Sequence, residues 1–129
     1  MTSPQEFIEC FLQEKAAAWA EARPHLSAVH GKYFGEPLSQ HAEYFMPPDR
    51  VRTVIDDVKQ SDAVASAVVR DHLRTGDIRR RYRLAASGES WKIIGLEQEC
   101  ICRGTGEYRG SRCRKCNGEG WLDIFSQVA

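Results

Sequence analysis

The chain has no apolar run long enough to span a bilayer, so nothing in its 129 residues predicts a transmembrane segment. It also has no net charge. Eighteen basic residues balance eighteen acidic ones, which argues against a dedicated nucleic-acid binder or a membrane-surface protein. No basic stretch leads into an apolar one at the N-terminus, so a secretory leader is not expected and the thiols are expected to stay reduced in the cytoplasm. No Walker loop, dinucleotide glycine fingerprint, HExxH or GxSxG occurs, which removes the enzyme classes built on those motifs. The length suits one core, a sheet with two or three helices.

Cysteine, by contrast, is concentrated. Four of the five cysteines fall within seventeen positions, as Cys100-Ile101-Cys102-Arg103-Gly104-Thr105-Gly106 and Cys113-Arg114-Lys115-Cys116-Asn117-Gly118-Glu119-Gly120. Two sulfur pairs joined by a short loop are what a tetrahedral zinc site needs, because each pair grips one side of the metal. The glycines permit the positive φ of tight turns that aim backbone N–H groups at thiolates. Two disulfides would require an oxidising compartment, and inert buried cysteines do not usually come in pairs flanked by Gly and Arg. The expectation is one structural zinc on Cys100, Cys102, Cys113 and Cys116, with no open position for catalysis. A thiol redox sensor built on the same pairs is an alternative. Cys10, on a predicted helix beside Phe11, is expected to be a small core residue.

The second half of this stretch, Cys113 to Gly120, resembles the CxxCxGxG repeat of the DnaJ-type cysteine-rich domain without a departure. The first half reads CxCxGxG, with Glu99 where a CxxC pair would begin. The resemblance covers about one sixth of the chain, and the His-Pro-Asp tripeptide of J domains is absent. It therefore implies a metal-binding knuckle and no heat-shock partnership. Between Cys102 and Cys116, the residues Arg103, Arg109, Arg112, Arg114 and Lys115 face only Glu107. A solvated basic loop is the plain reading. A contact site for an acidic partner or RNA is the sharper one, with a protein partner favoured over nucleic acid.

Ser3-Pro4-Gln5-Glu6 predicts a helix start with Ser3 as cap and Glu6 closing a capping box. Phe7, Ile8, Phe11, Leu12, Ala18, Trp19 and Ala22 then share one face of a helix over about 4–22. Pro24 opens a shorter helix through Val29, His30, Tyr33 and Phe34, closed by Gly35, and a loop is expected over 35–49. From Arg50 the enrichment in Val, Ile, Thr and Tyr predicts strands at about 51–60, 63–74, 77–86 and 90–99, in an antiparallel meander. A Ser87-Gly88 hairpin loop would set Leu84 opposite Trp91 and Tyr82 opposite Ile93, with these four side chains on the face toward the first helix.

Two helices, a loop and a long-stranded meander ending in Tyr82-Arg83-Leu84 and Trp91-Lys92-Ile93 resemble the nuclear transport factor 2-like superfamily over residues 3–99. The resemblance implies an α+β fold with a cone-shaped, curved antiparallel sheet packed on N-terminal helices, to which the C-terminal zinc knuckle is added. That superfamily houses SnoaL-like cyclases, isomerases, binding factors and bacterial toxin-immunity proteins, so fold alone does not fix function. The domain division expected is 1–99 for the α+β domain and 100–129 for the knuckle and tail.

Pocket candidates for a cone are Tyr33, His41, Tyr44, Asp71, His72, Tyr82 and Trp91, none in a catalytic motif. Asp71 with Tyr82 would suit proton abstraction beside a carbonyl, whereas an Asp71 facing solvent beside an arginine is the plainer expectation. Alternation groups Val69, Asp71 and Leu73 against Val68, Arg70 and His72 without deciding which set faces in. Arg79, Arg81 and Arg83 share a strand face and are expected to pair with Asp56, Asp57, Glu97 and Glu99. Trp121, Leu122, Ile124 and Phe125 are expected to pack back on the domain; exposed, they would serve a partner or a second copy of the chain. The function expected is binding without turnover, as an adaptor or immunity-type protein, with a cyclase- or isomerase-like enzyme as the alternative.

Overall fold

A computed structural model of the chain describes residues 2–21, 24–35, 50–100 and 102–126. Two helices, α1 (Pro4–Glu21) and α2 (Pro24–Tyr33), precede an antiparallel sheet. Its strands are β1 (Arg50–Ser61), β2 (Val64–Leu73), β3 (Gly76–Ser87), β4 (Ser90–Glu99) and β7 (Trp121–Ser126), side by side in the order β1-β2-β3-β4-β7. A small hairpin, β5 (Glu107–Tyr108) with β6 (Ser111–Arg112), lies in the connection between β4 and β7.

The helix start forms as its residues dictate. Ser3 Oγ accepts from the Glu6 N–H at 3.2 Å, which satisfies one of the donors that a helix N-terminus leaves free. Of the apolar stripe on α1, Phe7, Ile8 and Phe11 are buried and Leu12 is partly so. Lys15 continues the stripe and is 3 % exposed, its ammonium 5.6 Å from the Phe11 ring centre. Cys10 is exposed, contrary to its expected place in the core, because it stands off the Phe7–Phe11 stripe of the helix. The side chains of Trp19 and His30 lie outside the described residues, as do residues 36–49 with His41 and Tyr44.

The burial pattern of β2 decides which face looks inward. Ala65, Ala67, Val69 and Asp71 are buried, and the residues between them are not. Their cross-strand partners share that face, so Leu84 and Tyr82 of β3 join them, opposite Ala65 and Ala67. The β3–β4 turn is centred on Gly88-Glu89, with Ser87 opposite Ser90 and Gly88 at φ 61°. The register therefore differs from expectation by two residues: Ala86 faces Trp91 and Leu84 faces Ile93. An even shift preserves the face, and Tyr82, Leu84, Trp91 and Ile93 are all buried together. A bulge at Arg83/Leu84 then sets Tyr82 opposite Leu96.

This inner face meets the helices through aromatic edges. Phe11 makes T-shaped contacts with Tyr33, Phe34 and Tyr82, at centroid distances of 5.4, 5.6 and 5.7 Å. The chain ahead of α1 is tied to β4, since Trp91 Nε1 donates to the Thr2 carbonyl at 2.8 Å and the Thr2 N–H to Glu89 O at 2.9 Å. After α2, the Gly35 N–H donates to Ile93 O at 2.9 Å. Leu96, Ile55, Val58 and Ile124 complete the core.

The tail packs back, as a fifth strand. Leu122 pairs with Gln98 and Trp121 with Glu99, so residues 121–126 extend the sheet and the knuckle is an excursion between two paired strands. Among the described residues no helix is long and apolar enough to cross a membrane.

Replacing Phe11 by Ala removes the ring on which three aromatic contacts converge. We expect Phe11→Ala to lower unfolding stability by about 3–5 kcal/mol. Val64→Thr, at a side chain 53 % exposed, should stay within about 0.5 kcal/mol in the same urea titration. Comparable losses from the two variants would refute this account of the core.

Candidate metal centre

The four cysteines of the β4–β7 connection converge. Their sulfur atoms all lie within 4.8 Å of one another, and all four residues are buried. Cys100 Sγ is 3.6 Å from Cys113 Sγ, and Cys102 Sγ is 3.6 Å from Cys116 Sγ. A disulfide would bring two sulfurs to about 2 Å. Thiolates at about 2.3 Å around a tetrahedral zinc stand about 3.8 Å apart, close to the observed separations. The cluster could hold a metal ion.

The backbone around the cysteines has an approximate two-fold repeat. After Cys102 and after Cys116 the chain turns through a residue with φ of 58°, Arg103 in one half and Asn117 in the other. Thr105 N–H donates to Cys102 O at 3.3 Å, and Glu119 N–H to Cys116 O at 3.1 Å. Cys113 N–H donates to Gly106 O at 2.8 Å, and Cys100 N–H to Gly120 O at 3.0 Å, so each half closes on the other. The glycines are needed where the halves touch. A Cβ on Gly106 would collide with the Gly118 carbonyl, and one on Gly120 would fall 2.5 Å from the Gly104 carbonyl oxygen.

Backbone N–H groups reach the sulfurs. Gly120 N–H donates to Cys116 Sγ at 3.1 Å. The N–H of Cys116 favours the Cys113 thiolate; burial opposes it, but with the Lys115 N–H and the neighbouring thiols it holds the Cys113 thiol below its ordinary value. At Cys100 the N–H of Cys102 also favours the thiolate. Burial and the other three sulfurs outweigh it and push that thiol up to about 11. Four thiols this close cannot all ionise unaided, whereas a divalent cation would hold them all as thiolates.

The basic residues of the loop divide. Arg112 is spent inside the knuckle, its Nε and Nη2 donating to Asn117 O at 3.1 and 2.7 Å across Gly118. Arg109 lies over the Tyr108 ring, its guanidinium carbon 5.3 Å from the ring centre. Arg103, Arg114 and Lys115 are exposed.

On the outer sheet face Arg70, Arg79 and Arg81 are paired with carboxylates, whereas Arg83, expected to pair with them, is exposed and makes no ion pair among the described residues. Arg70 and Arg79 both donate to Asp56 Oδ2, at 3.0 and 3.2 Å; Arg79 also pairs with Glu99, and Arg81 grips both Glu97 oxygens at 2.9 and 2.8 Å. Of the expected partners, Asp57 pairs with Lys59 instead. Trp121 lies beneath the guanidiniums of Arg79 and Arg81, 5.6 and 4.8 Å from its ring. Half-buried Trp121 and this ion network join the knuckle to the sheet.

The pocket candidates do not assemble into one site. Tyr33 and Tyr82 are packed among aromatic rings, and Trp91 is 1 % exposed. His72 lies on the outer face, with Nδ1 2.9 Å from Asp77 Oδ1. Burial opposes ionisation of Asp77, but hydrogen bonds from His72 and Arg70 hold its carboxyl below its ordinary value. Asp71 corrects the expectation of a solvent-facing carboxylate: it is 7 % exposed on the inner face and accepts from Thr53 Oγ1. Burial raises the Tyr82 phenol well above its usual value, Arg80 opposes the shift and Asp71 adds to it. A cavity of about 600 Å³ between α1 and β1 is lined by Gln5, Glu9, Leu12, Gln13, Thr53 and Ile55, away from Tyr82 and Trp91. Buried Lys15 was invisible in the sequence, where it reads as an ordinary surface lysine.

No protein-family model matches the chain, nor does any curated protein or solved structure.

The contact of the two glycine turns makes a prediction. Gly120→Ala adds a Cβ against Gly104 at a φ of 86°, so the sulfur cluster should loosen and its thiols react several-fold faster with a disulfide reagent. Ser111→Ala, in the exposed hairpin, should react like the parent protein. Equal rates for both variants would show that the glycine contact does not hold the cluster.

Proposed function

We propose that the protein is a non-catalytic binding module of the cytoplasm, in which one structural zinc closes the knuckle and the basic loop outside it receives an acidic partner. The observation that carries this reading is the convergence of four buried sulfurs within 4.8 Å of one another, in two halves whose close contact requires glycine at 106 and 120. Thiolate ligands favour zinc among the abundant divalent ions, and four of them leave no position for a reactive water. The metal's work is then structural: it fixes a loop whose apolar content is too small to fold alone. An adaptor or toxin-immunity role, as the nuclear transport factor 2-like resemblance implies, would use the same surface.

Support for binding over turnover comes from the sheet. Over β3 and β4 its inner face is filled by Tyr82, Leu84, Trp91, Ile93 and Leu96 with Phe11 of α1, each at most 2 % exposed, and the cavity beside β1 lies apart from them. The inner carboxylate, Asp71, is engaged with Thr53.

Elemental mass spectrometry of protein purified without chelator should find about one zinc per chain, in keeping with a four-thiolate site. Cys113→Ser should lose it. A strong chelator should lower the melting temperature of the parent protein and leave that of the variant unchanged. Metal-free parent protein with all five thiols titratable, exposed Cys10 included, would overturn the reading.

A further inference from the structure

The hairpin at the outer end of the knuckle is built in a way that its own stability does not require. Its two loop residues are Arg109 and Gly110, with φ of 55° and 78°. Two positive φ values in a two-residue hairpin loop describe a type I′ turn, whose first position is ordinarily Asn, Asp or Gly. Arginine there is held in the left-handed region at a conformational cost. The conformation carries the guanidinium back over the ring of Tyr108, 5.3 Å from its centre. That ring is 44 % exposed, and with Val64 it is one of two exposed large hydrophobic side chains among the described residues. A strained arginine stacked on a ring left in water is the arrangement of a contact site.

The surroundings give the sign of the ligand. From Cys102 to Gly120 five basic residues stand against Glu107 and Glu119. Arg112 is committed to the Asn117 carbonyl, whereas Arg103, Arg114 and Lys115 are exposed. On the outer sheet face Arg70, Arg79 and Arg81 are bound to carboxylates, and exposed Arg83 lies by the β1–β2 turn, beside Lys59 and Ser61. Within the knuckle, Arg114 and Lys115 are the uncommitted cations that follow the aromatic–guanidinium hairpin, whereas Arg103 lies toward the sheet, beside Asp77 and Glu99.

We propose that this hairpin and the cations that follow it bind single-stranded nucleic acid, a base stacking on Tyr108 and Arg109 while Arg114 and Lys115 meet backbone phosphates. The inference rests on the reading of the knuckle as a folded, metal-closed binding surface and names the class of its partner. An acidic peptide would satisfy the cations but make little use of the ring. A nucleotide strand uses both, because every base offers a π-face and every link a charge. No array of side chains is set to read base edges, so recognition is tolerant of sequence, and a duplex, with its bases stacked inside, is excluded from the ring.

The test is fluorescence anisotropy at low salt with short labelled oligouridylate and oligothymidylate, beside a duplex of equal length and polyglutamate. Both single strands should bind, more tightly than the duplex or polyglutamate; a gap between the two would tell RNA from DNA. The slope of log affinity against log salt should be about −0.7 for each cation engaged, and should shrink when Arg114 and Lys115 are both replaced by Gln. Tyr108→Ala should weaken binding about five-fold or more, and Tyr108→Phe should retain it. Arg109→Asn relieves the backbone while removing the guanidinium, so it should keep or raise the melting temperature yet weaken binding. Zinc content is measured on every sample. Metal-bound protein that ignores both single strands, binds polyglutamate better, or is unaffected by Tyr108→Ala overturns the proposal and leaves the zinc-closed knuckle standing. Metal-free protein would defeat that prior reading instead.

Discussion

The pairing of β4 with β7 is the constraint on which the rest of the structure depends. It places Glu99 opposite Trp121, so the chain leaves the sheet and returns to it at adjacent positions, with residues 100–120 as the loop between. A loop whose ends are joined by a ladder has already met most of its closure entropy. What remains is to fold its interior, where the described side chains offer four cysteines and little hydrocarbon. The period of the strand then connects that interior to the domain on both sides. Trp121 points outward beneath Arg79 and Arg81, Leu122 packs against the cysteine cluster, and Ile124 reaches the main core.

The same ladder accounts for the unequal cysteine pairs. In the second half of the knuckle the spacing is CxxC, and the equivalent of Cys113 in the first half is position 99. Glu99 is the last residue of β4, held opposite Trp121 and ion-paired with Arg79 on the outer face. A side chain in that position belongs to the sheet and cannot turn into the knuckle. Cys100, the next residue, supplies the sulfur, and its N–H meets Gly120 O as that of Cys113 meets Gly106 O. The tighter CxC bite is the geometric consequence of running a strand directly into a metal-type knuckle.

Much of this was legible in the residues. The two helices, four long strands and the cysteine cluster follow from signals carried within short windows: the Ser3 cap, period-two alternation, Gly-rich turns and paired thiols. What failed to show depends on tertiary context. Choosing between Ser87-Gly88 and Gly88-Glu89 as the loop requires the ladder itself, although the inward face is insensitive to that choice. The inward direction of Asp71 follows from which face of β2 meets α1, and alternation alone is symmetric between the two. Trp121–Ser126 alternates over too few residues to declare a strand, and its partner lies across the whole knuckle. Lys15 is buried because its helical position, four residues beyond Phe11, leaves it on the packed face.

Overall neutrality conceals a division of charge. On the outer face of the sheet, arginines and carboxylates alternate across strands closely enough that Asp56 serves both Arg70 and Arg79 and Glu97 takes both arms of Arg81. Such a face presents little net field to a partner, whatever its arginine content. In the knuckle the chain supplies few carboxylates, the glycines leave the backbone close-packed, and the cations project from turns. A metal-closed loop is suited to carrying such charge, because four thiolates on a divalent ion leave a net charge of about −2 beneath it. Basic side chains around that centre are attracted to it and tolerate crowding that would otherwise repel them. With a divalent ion bound, the sulfur cluster would thus ease the crowding of the basic side chains over it while offsetting part of their charge.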